Sequence, residues 1–212
     1  MRLLLVGAVV AMLCVPAMAA AQGPSYYYCS WENPEDCTIL GSYGNVAAAV
    51  NVTDFVFSQN HALKVTEAPH SGTPQAYLAE IHGLTDGDVV DASFYGWDDT
   101  PGASPSLRIW ANYVDSGGAY AGSAGGNDAY TAGTGWDQVA WSWTFDSALD
   151  TRDGLQIHAR IYSTPSTCDT CSTDFWIDAL DVFAPPHAVV TLPCDEQPTP
   201  AQKSTWGQIK NQ

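Results

Sequence analysis

The chain has 212 residues, with 23 Asp and Glu against 7 Lys and Arg, for a formal net charge of −16. So strong a negative balance argues against nucleic acid, which is bound through basic residues on phosphates. It argues equally against anionic membranes, and it leaves carboxylates available for a hard cation such as calcium.

Residues 1–21 are expected to be a secretory signal peptide. Arg2 supplies the positive end, Leu3 to Val15 the apolar run, and the alanines at 17, 19, 20 and 21 a small-residue cleavage site. The alternative, a membrane anchor, needs roughly 20 apolar residues, and this run is shorter. No other stretch is apolar enough to span a bilayer, so the protein is expected to be exported, secreted or held at a bacterial cell surface.

Short strand-like runs then follow at 61–68, 74–81, 88–97, 106–114, 138–145, 154–162 and 173–183. Gly, Pro, Asp and Ser clusters at 85–88, 98–102, 116–118, 125–128 and 153–154 mark turns between them. Such spacing predicts an all-β fold, a two-sheet antiparallel β-sandwich over 22–186. Residues 187–212 are expected to be a Pro-rich linker and a disordered tail, which holds Trp206 in a stretch similar to short Trp-Gly-x-Ile-Lys tails of exported bacterial proteins.

Side chains alternate between the faces of a strand. In 88–97, Val90, Ala92 and Phe94 read as core, with Tyr95 and Trp97 opposite. In 106–114, Leu107, Ile109 and Ala111 read as core, with Arg108, Trp110 and Asn112 opposite. In 154–162, Leu155, Ile157, Ala159 and Ile161 read as core, with Gln156, His158 and Arg160 opposite. If these strands are neighbours, their second faces combine flat aromatics with hydrogen-bonding groups. That mixture suits a sugar, whose C–H face stacks on Trp or Tyr while its hydroxyls seek donors and acceptors. The alternative is a solvent face with scattered aromatics. In 138–145, Val139, Trp141, Trp143 and Phe145 share a side and read as core.

Residues 173–183 carry an Asp among apolar residues. Plain alternation puts Phe175, Ile177 and Ala179 on one face, and Trp176, Asp178, Leu180 and Val182 on the other. A buried carboxylate must be paired, hydrogen-bonded or metal-bound. Basic partners are scarce: beyond Arg2 the chain has Lys64, Arg108, Arg152, Arg160, Lys203 and Lys210. Calcium, or backbone N–H and hydroxyl donors, are the two alternatives.

In an exported protein the cysteines are expected to pair. Cys29 with Cys37, and Cys168 with Cys171, make two short loops and leave Cys194 over. A redox or zinc role for the C-x-x-C at 168–171 lacks a second such pair nearby.

Trp31-Glu32-Asn33, the ALKV run at 62–65, the IHGLTDGD run at 81–88, Trp136 ahead of a strand, and FWID at 175–178 together resemble the calcium-binding jelly-roll carbohydrate-binding modules that accompany bacterial xylanases and glucanases. The resemblance covers Tyr26 to Phe183. It implies a jelly roll that binds a polysaccharide or glycan without catalysis. It also implies one structural calcium on Glu32 and Asp178, with backbone oxygens near Asn60 and His61. The chain departs from the family's doubled Asp at Ala179. Two rival functions are a structural or adhesive surface protein and a jelly-roll glycoside hydrolase. The hydrolase needs two carboxyl groups flanking the cleaved bond, and Glu80 with Asp91 is the best pair the sequence offers. No histidine sits in a recognisable Ser/His/Asp setting.

Overall fold

The computed structural model describes residues 23–70, 72–98, 106–127, 131, 135–147, 151–162, 171–194 and 199–200. Within them the elements are thirteen strands: β1 (Ser25–Cys29), β2 (Gly41–Tyr43), β3 (Val46–Val52), β4 (Ala62–Glu67), β5 (Gln75–His82), β6 (Val89–Asp98), β7 (Ser106–Val114), β8 (Tyr120–Gly126), β9 (Gly135–Thr144), β10 (Gly154–Tyr162), β11 (Thr173–Ala184), β12 (Val189–Thr191) and β13 (Thr199–Pro200). Among the described residues no helix is long and apolar enough to cross a membrane. The expected signal segment, Cys168 and the Trp206 tail lie outside the described residues.

Two antiparallel sheets face each other, as the strand spacing predicted. The long β11 is the spine of the first. β1 and β4 share one of its edges end to end, β6 pairs along the other, β9 lies beyond β6, and β3 beyond β4. The second sheet runs β12, β5, β10, β7, β8, with β2 also on β5. The buried layer is built by the alternation read from the sequence: Val90 and Phe94 meet Leu107, Ile109, Leu155 and Ile157, all 0 % exposed. Each such side chain contributes about 1.5–3 kcal/mol by leaving water.

Three expectations need correction. First, β11 does not alternate along its whole length. Its register with β6 shifts between Asp178 and Asp181, and Ala179 takes a φ of 51°. This is a β-bulge, which adds one residue and swaps the faces beyond it. Phe175 and Ile177 before the bulge, and Leu180 and Val182 after it, therefore all enter the core, while Trp176 and Asp178 face outward. Second, Trp143 is core but Trp141 is 43 % exposed. It lies on β9, which among the described residues pairs only with β6 at the border of the sheet. Third, the fold continues past Pro186. β12 pairs with β5, Cys194 is buried, and β13 pairs with β1.

Candidate functional site

The sandwich has two outer faces, and the residues expected to form one glycan floor are divided between them. Tyr95 and Trp97 lie on β6 in the first sheet. Arg108, Trp110 and Asn112 on β7, and Gln156, His158 and Arg160 on β10, lie in the second. The strands 88–97 and 106–114 follow each other in sequence but belong to opposite sheets, so no single groove holds all eight.

On the first sheet the aromatics are covered by the chain's own loop, residues 53–60. Phe57 stacks on Tyr95 with ring centroids 3.7 Å apart and planes 13° apart. Phe55 packs on Trp97 at 5.2 Å and on Trp176 at 4.8 Å. Trp136 closes the cluster against Phe57 and Trp97.

Asp178 pins that loop. Its Oδ2 accepts from the Phe57 and Ser58 backbone N–H groups at 2.9 and 2.8 Å. Its Oδ1 accepts from Ala179 N at 2.6 Å and from Ser58 Oγ at 3.2 Å. Burial pushes the carboxyl's pKa up, its hydrogen bonds pull it back, and the net direction is upward.

The implied calcium can be tested on these donors. A carboxylate offers about four lone-pair positions, and Asp178 meets four donors. Glu32 likewise faces N–H groups, accepting from Asn60 N at 2.8 Å and His61 N at 2.6 Å. The His61 ring bonds Asn51 instead, Nδ1 to Oδ1 at 2.6 Å. Groups that point N–H bonds at both carboxylates are the reverse of a cation cage, so Glu32, Asn60, His61 and Asp178 do not fit calcium in this arrangement.

The outer face of the second sheet is built differently. Pairing registers align its side chains in three transverse rows. The middle row is Gly41, Tyr77, His158, Trp110 and Gly126. On one side of it stand Tyr43, Gln75, Arg160 and Arg108. On the other stand Thr191, Glu80, Gln156, Asn112 and Ser123. Glycine ends the middle row for a steric reason: the Tyr77 ring would press on a Cβ at Gly41, and the Ile109 and Trp110 backbone would collide with one at Gly126.

A hydrogen-bonded chain ties the central groups together. His158 is 0 % exposed, and burial, with Arg160 adding, pulls its pKa down to about 3. The ring is therefore neutral at pH 7. Its Nε2 lies 2.9 Å from Gln156 Oε1, an acceptor, so Nε2 carries the proton. Gln156 Nε2 then donates to Glu80 Oε1 at 2.7 Å. The other Glu80 oxygen stands 3.8 Å from His82, whose Nδ1 meets Asp153 at 2.9 Å.

Arg108 and Arg160 are directly opposite, which by itself is repulsive. Both guanidinium groups lie over the Trp110 ring, at 4.5 and 4.2 Å from its centroid. The ring's negative face offsets part of that repulsion. Tyr77 tilts against His158, centroids 4.6 Å apart, and burial raises its pKa, so the phenol keeps its proton.

Sequence reading missed Tyr77, Gln75, Glu80 (as part of this face) and Tyr43. The register of β5 on β10 shifts between Ile157 and His158, with Tyr77 and Ala79 as successive partners. The bulge at Leu78 puts Tyr77 and Glu80 on one face although their numbers differ in parity. The available signal was a Tyr and a Glu inside an otherwise apolar run.

Two antiparallel sheets in this arrangement define a jelly-roll β-sandwich. No family model matches the chain, and no curated protein does either. Its structural neighbours are CBM22 domains, a jelly-roll carbohydrate-binding family. The CBM22-1 xylan-binding domain of Paenibacillus barcinonensis Xyn10C has a TM-score of 0.53 at 14 % identity, over 79 % of this chain and 98 % of that one. The CBM22-1-GH10 modules of Clostridium thermocellum xylanase 10B, complexed with xylohexaose, give 0.52 at 12 % identity, over 79 % of this chain and 30 % of that one. The CBM22-2 xylan-binding domain of the Paenibacillus enzyme gives 0.50 at 16 %, over 74 % and 98 %. At such identities the likeness is one of fold.

Proposed function

We propose that the protein is a secreted, non-catalytic carbohydrate-binding module-like protein, and that its polysaccharide ligand lies on the outer face of the second sheet. The observation that carries this reading is the three-row array: aromatic rings along the middle, with donors and acceptors on both sides. Tyr77 offers a flat apolar contact, and Trp110 holds the Arg108 and Arg160 guanidinium groups over its ring. Glu80, Asn112 and the two arginines offer the hydrogen bonds, while Gln75 and Gln156 are buried and Gln156 engages both ends of its amide with Glu80 and His158. The Glu80–Gln156–His158 chain holds these groups in place before a ligand arrives, which reduces the ordering cost of binding. Tyr43, 63 % exposed, adds a further ring at the edge of the flanking row, opposite Gln75.

Catalysis is disfavoured on the same face. Glu80 is the one carboxylate in the three rows, and its partner for hydrolysis would have to stand about 5–5.5 Å away if retaining. Asp91, the partner considered from sequence, is on β6 in the other sheet.

Calorimetry against a panel of plant and microbial polysaccharides, xylan included, tests the proposal. Tyr77→Ala and Trp110→Ala should each weaken binding about tenfold or more, equivalent to ~1.4 kcal/mol, while Trp97→Ala should leave affinity unchanged. Binding lost equally in all three, or absent in the wild type across the panel, would favour the structural or adhesive surface protein. Release of reducing sugar, abolished by Glu80→Gln, would favour the hydrolase.

A further inference from the structure

Three cysteines meet at one point of the sandwich. Cys29 ends β1, Cys37 follows the turn in which its own N–H bonds Pro34 O at 3.0 Å, and Cys194 lies just beyond β12. Their exposures are 0, 6 and 1 %. All three sulfurs lie within 4.8 Å of one another. Cys194 is in disulfide contact with both of the others, across Cα–Cα distances of 5.8 Å to Cys29 and 5.5 Å to Cys37. Both distances fall inside the usual 4.4–6.8 Å for a disulfide. Cys29–Cys37, the pair expected from sequence, is not the bonded pair. Cys171 is disulfide-bonded separately, and its expected partner Cys168 lies outside the described residues.

A sulfur forms one disulfide at a time, so the two contacts of Cys194 are alternatives. We propose that Cys29, Cys37 and Cys194 form an exchange site: one disulfide always includes Cys194, alternates between Cys29 and Cys37, and leaves the third cysteine as a buried thiol. The step is redox-neutral. The Cys37 thiolate attacks Sγ of Cys194, a Cys37–Cys194 bond forms, the Cys29–Cys194 bond breaks, and Cys29 leaves as the thiolate that takes up the proton. No external oxidant or reductant enters. The reaction needs the attacking sulfur next to the attacked one, and the cluster supplies that from a folded backbone that already fits either bond.

The two isomers differ in what they tether. Either one fastens the segment after β12 to the N-terminal part of the chain. Only the Cys37 isomer also fixes the far end of the 30–37 segment. In the Cys29 isomer that segment rests on weaker holds, among them the Trp31 Nε1 bond to Thr38 O at 2.8 Å. This segment carries Glu32, which anchors the backbone at Asn60 and His61. Exchange therefore changes the covalent support of the loop 53–60 region without releasing the C-terminal segment.

The test is a peptide map of the exported wild-type chain, quenched in acid, alkylated with N-ethylmaleimide and digested at low pH to prevent scrambling. The expected map contains both Cys29–Cys194 and Cys37–Cys194 peptides, with one alkylated cysteine per molecule divided between Cys29 and Cys37. Cys29→Ser and Cys37→Ser should each retain a disulfide to Cys194. A single pairing in the wild type overturns the proposal, as does a Cys29–Cys37 bond. Alkylation of all three, with stoichiometric zinc or copper released on denaturation, also overturns it and makes the cluster a metal site.

Discussion

The two outer faces carry the same aromatic residue types in different surroundings. On the first sheet Tyr95, Trp97, Trp136 and Trp176 are packed by Phe55 and Phe57 from the chain's own loop. On the second, Tyr77 and Trp110 have a histidine, two arginines, glutamines and a glutamate beside them, and no loop aromatic stacks on them among the described residues. An aromatic row is thus not evidence of a binding face by itself. What surrounds it, and what the chain has already laid over it, is what distinguishes the two faces.

The largest effect is expected at Asp178, which fastens the loop to the first face. Asp178→Ala leaves the Phe57, Ser58 and Ala179 N–H groups without their acceptor. The expected cost is on the order of 3 kcal/mol of stability, read by chemical denaturation. Glycan affinity of the folded fraction should not change. A loss of affinity with stability intact would mean that the covered face is the binding one.

His158 provides the counterpart on the second face. Its folded pKa of about 3 lies below the unfolded value of 6.5. The unfolded chain therefore takes up the proton first as pH falls. The stabilisation is fully present above pH 6.5 and is lost progressively down toward pH 3. Between pH 6.5 and 5 the loss should approach ~2 kcal/mol, at about 1.4 kcal/mol per pH unit. Comparing the pH dependence of wild type with that of His158→Gln isolates this term, because other groups titrate in both. Identical slopes would show that the imidazole is not held neutral.

A smaller effect belongs to Phe57, which is 43 % exposed yet stacked on Tyr95. Phe57→Ala should cost about 1 kcal/mol in thermal or chemical melting. Binding should be unaffected. Should Phe57→Ala instead create a second class of glycan sites, the two faces would be equivalent platforms distinguished only by the loop.

The smallest effect is expected from metal removal. With Asp178 surrounded by four donors and Glu32 held by two backbone N–H groups, EDTA and excess calcium should give the same melting curve. A rise in melting temperature with calcium, absent in Asp178→Ala, would show that the loop rearranges to admit the ion.

Alternation along β7 and β10 was legible because these strands run regularly, and it assigned Leu107, Ile109, Leu155 and Ile157 to the core and Arg108, Trp110, Gln156 and His158 to the outside. Turn residues and strand spacing were enough for the all-β sandwich. These are local properties: face periodicity and turn chemistry depend on a residue and its near neighbours. Three matters were decided only in the tertiary structure. Bulges at Ala179 and Leu78 each inserted one residue, so period-two counting failed for Leu180 and Val182, and counting along β5 would have separated Glu80 from Tyr77. Consecutive strands β6 and β7 entered different sheets, since a turn sequence says that the chain reverses but not across which sheet. The acceptors and partners at long separation were also out of reach. Asp178 found its donors about 120 residues away at Phe57 and Ser58, and Cys194 found two sulfurs at 165 and 157 residues' distance, because such meetings are set by how the sheets stack rather than by any local pattern.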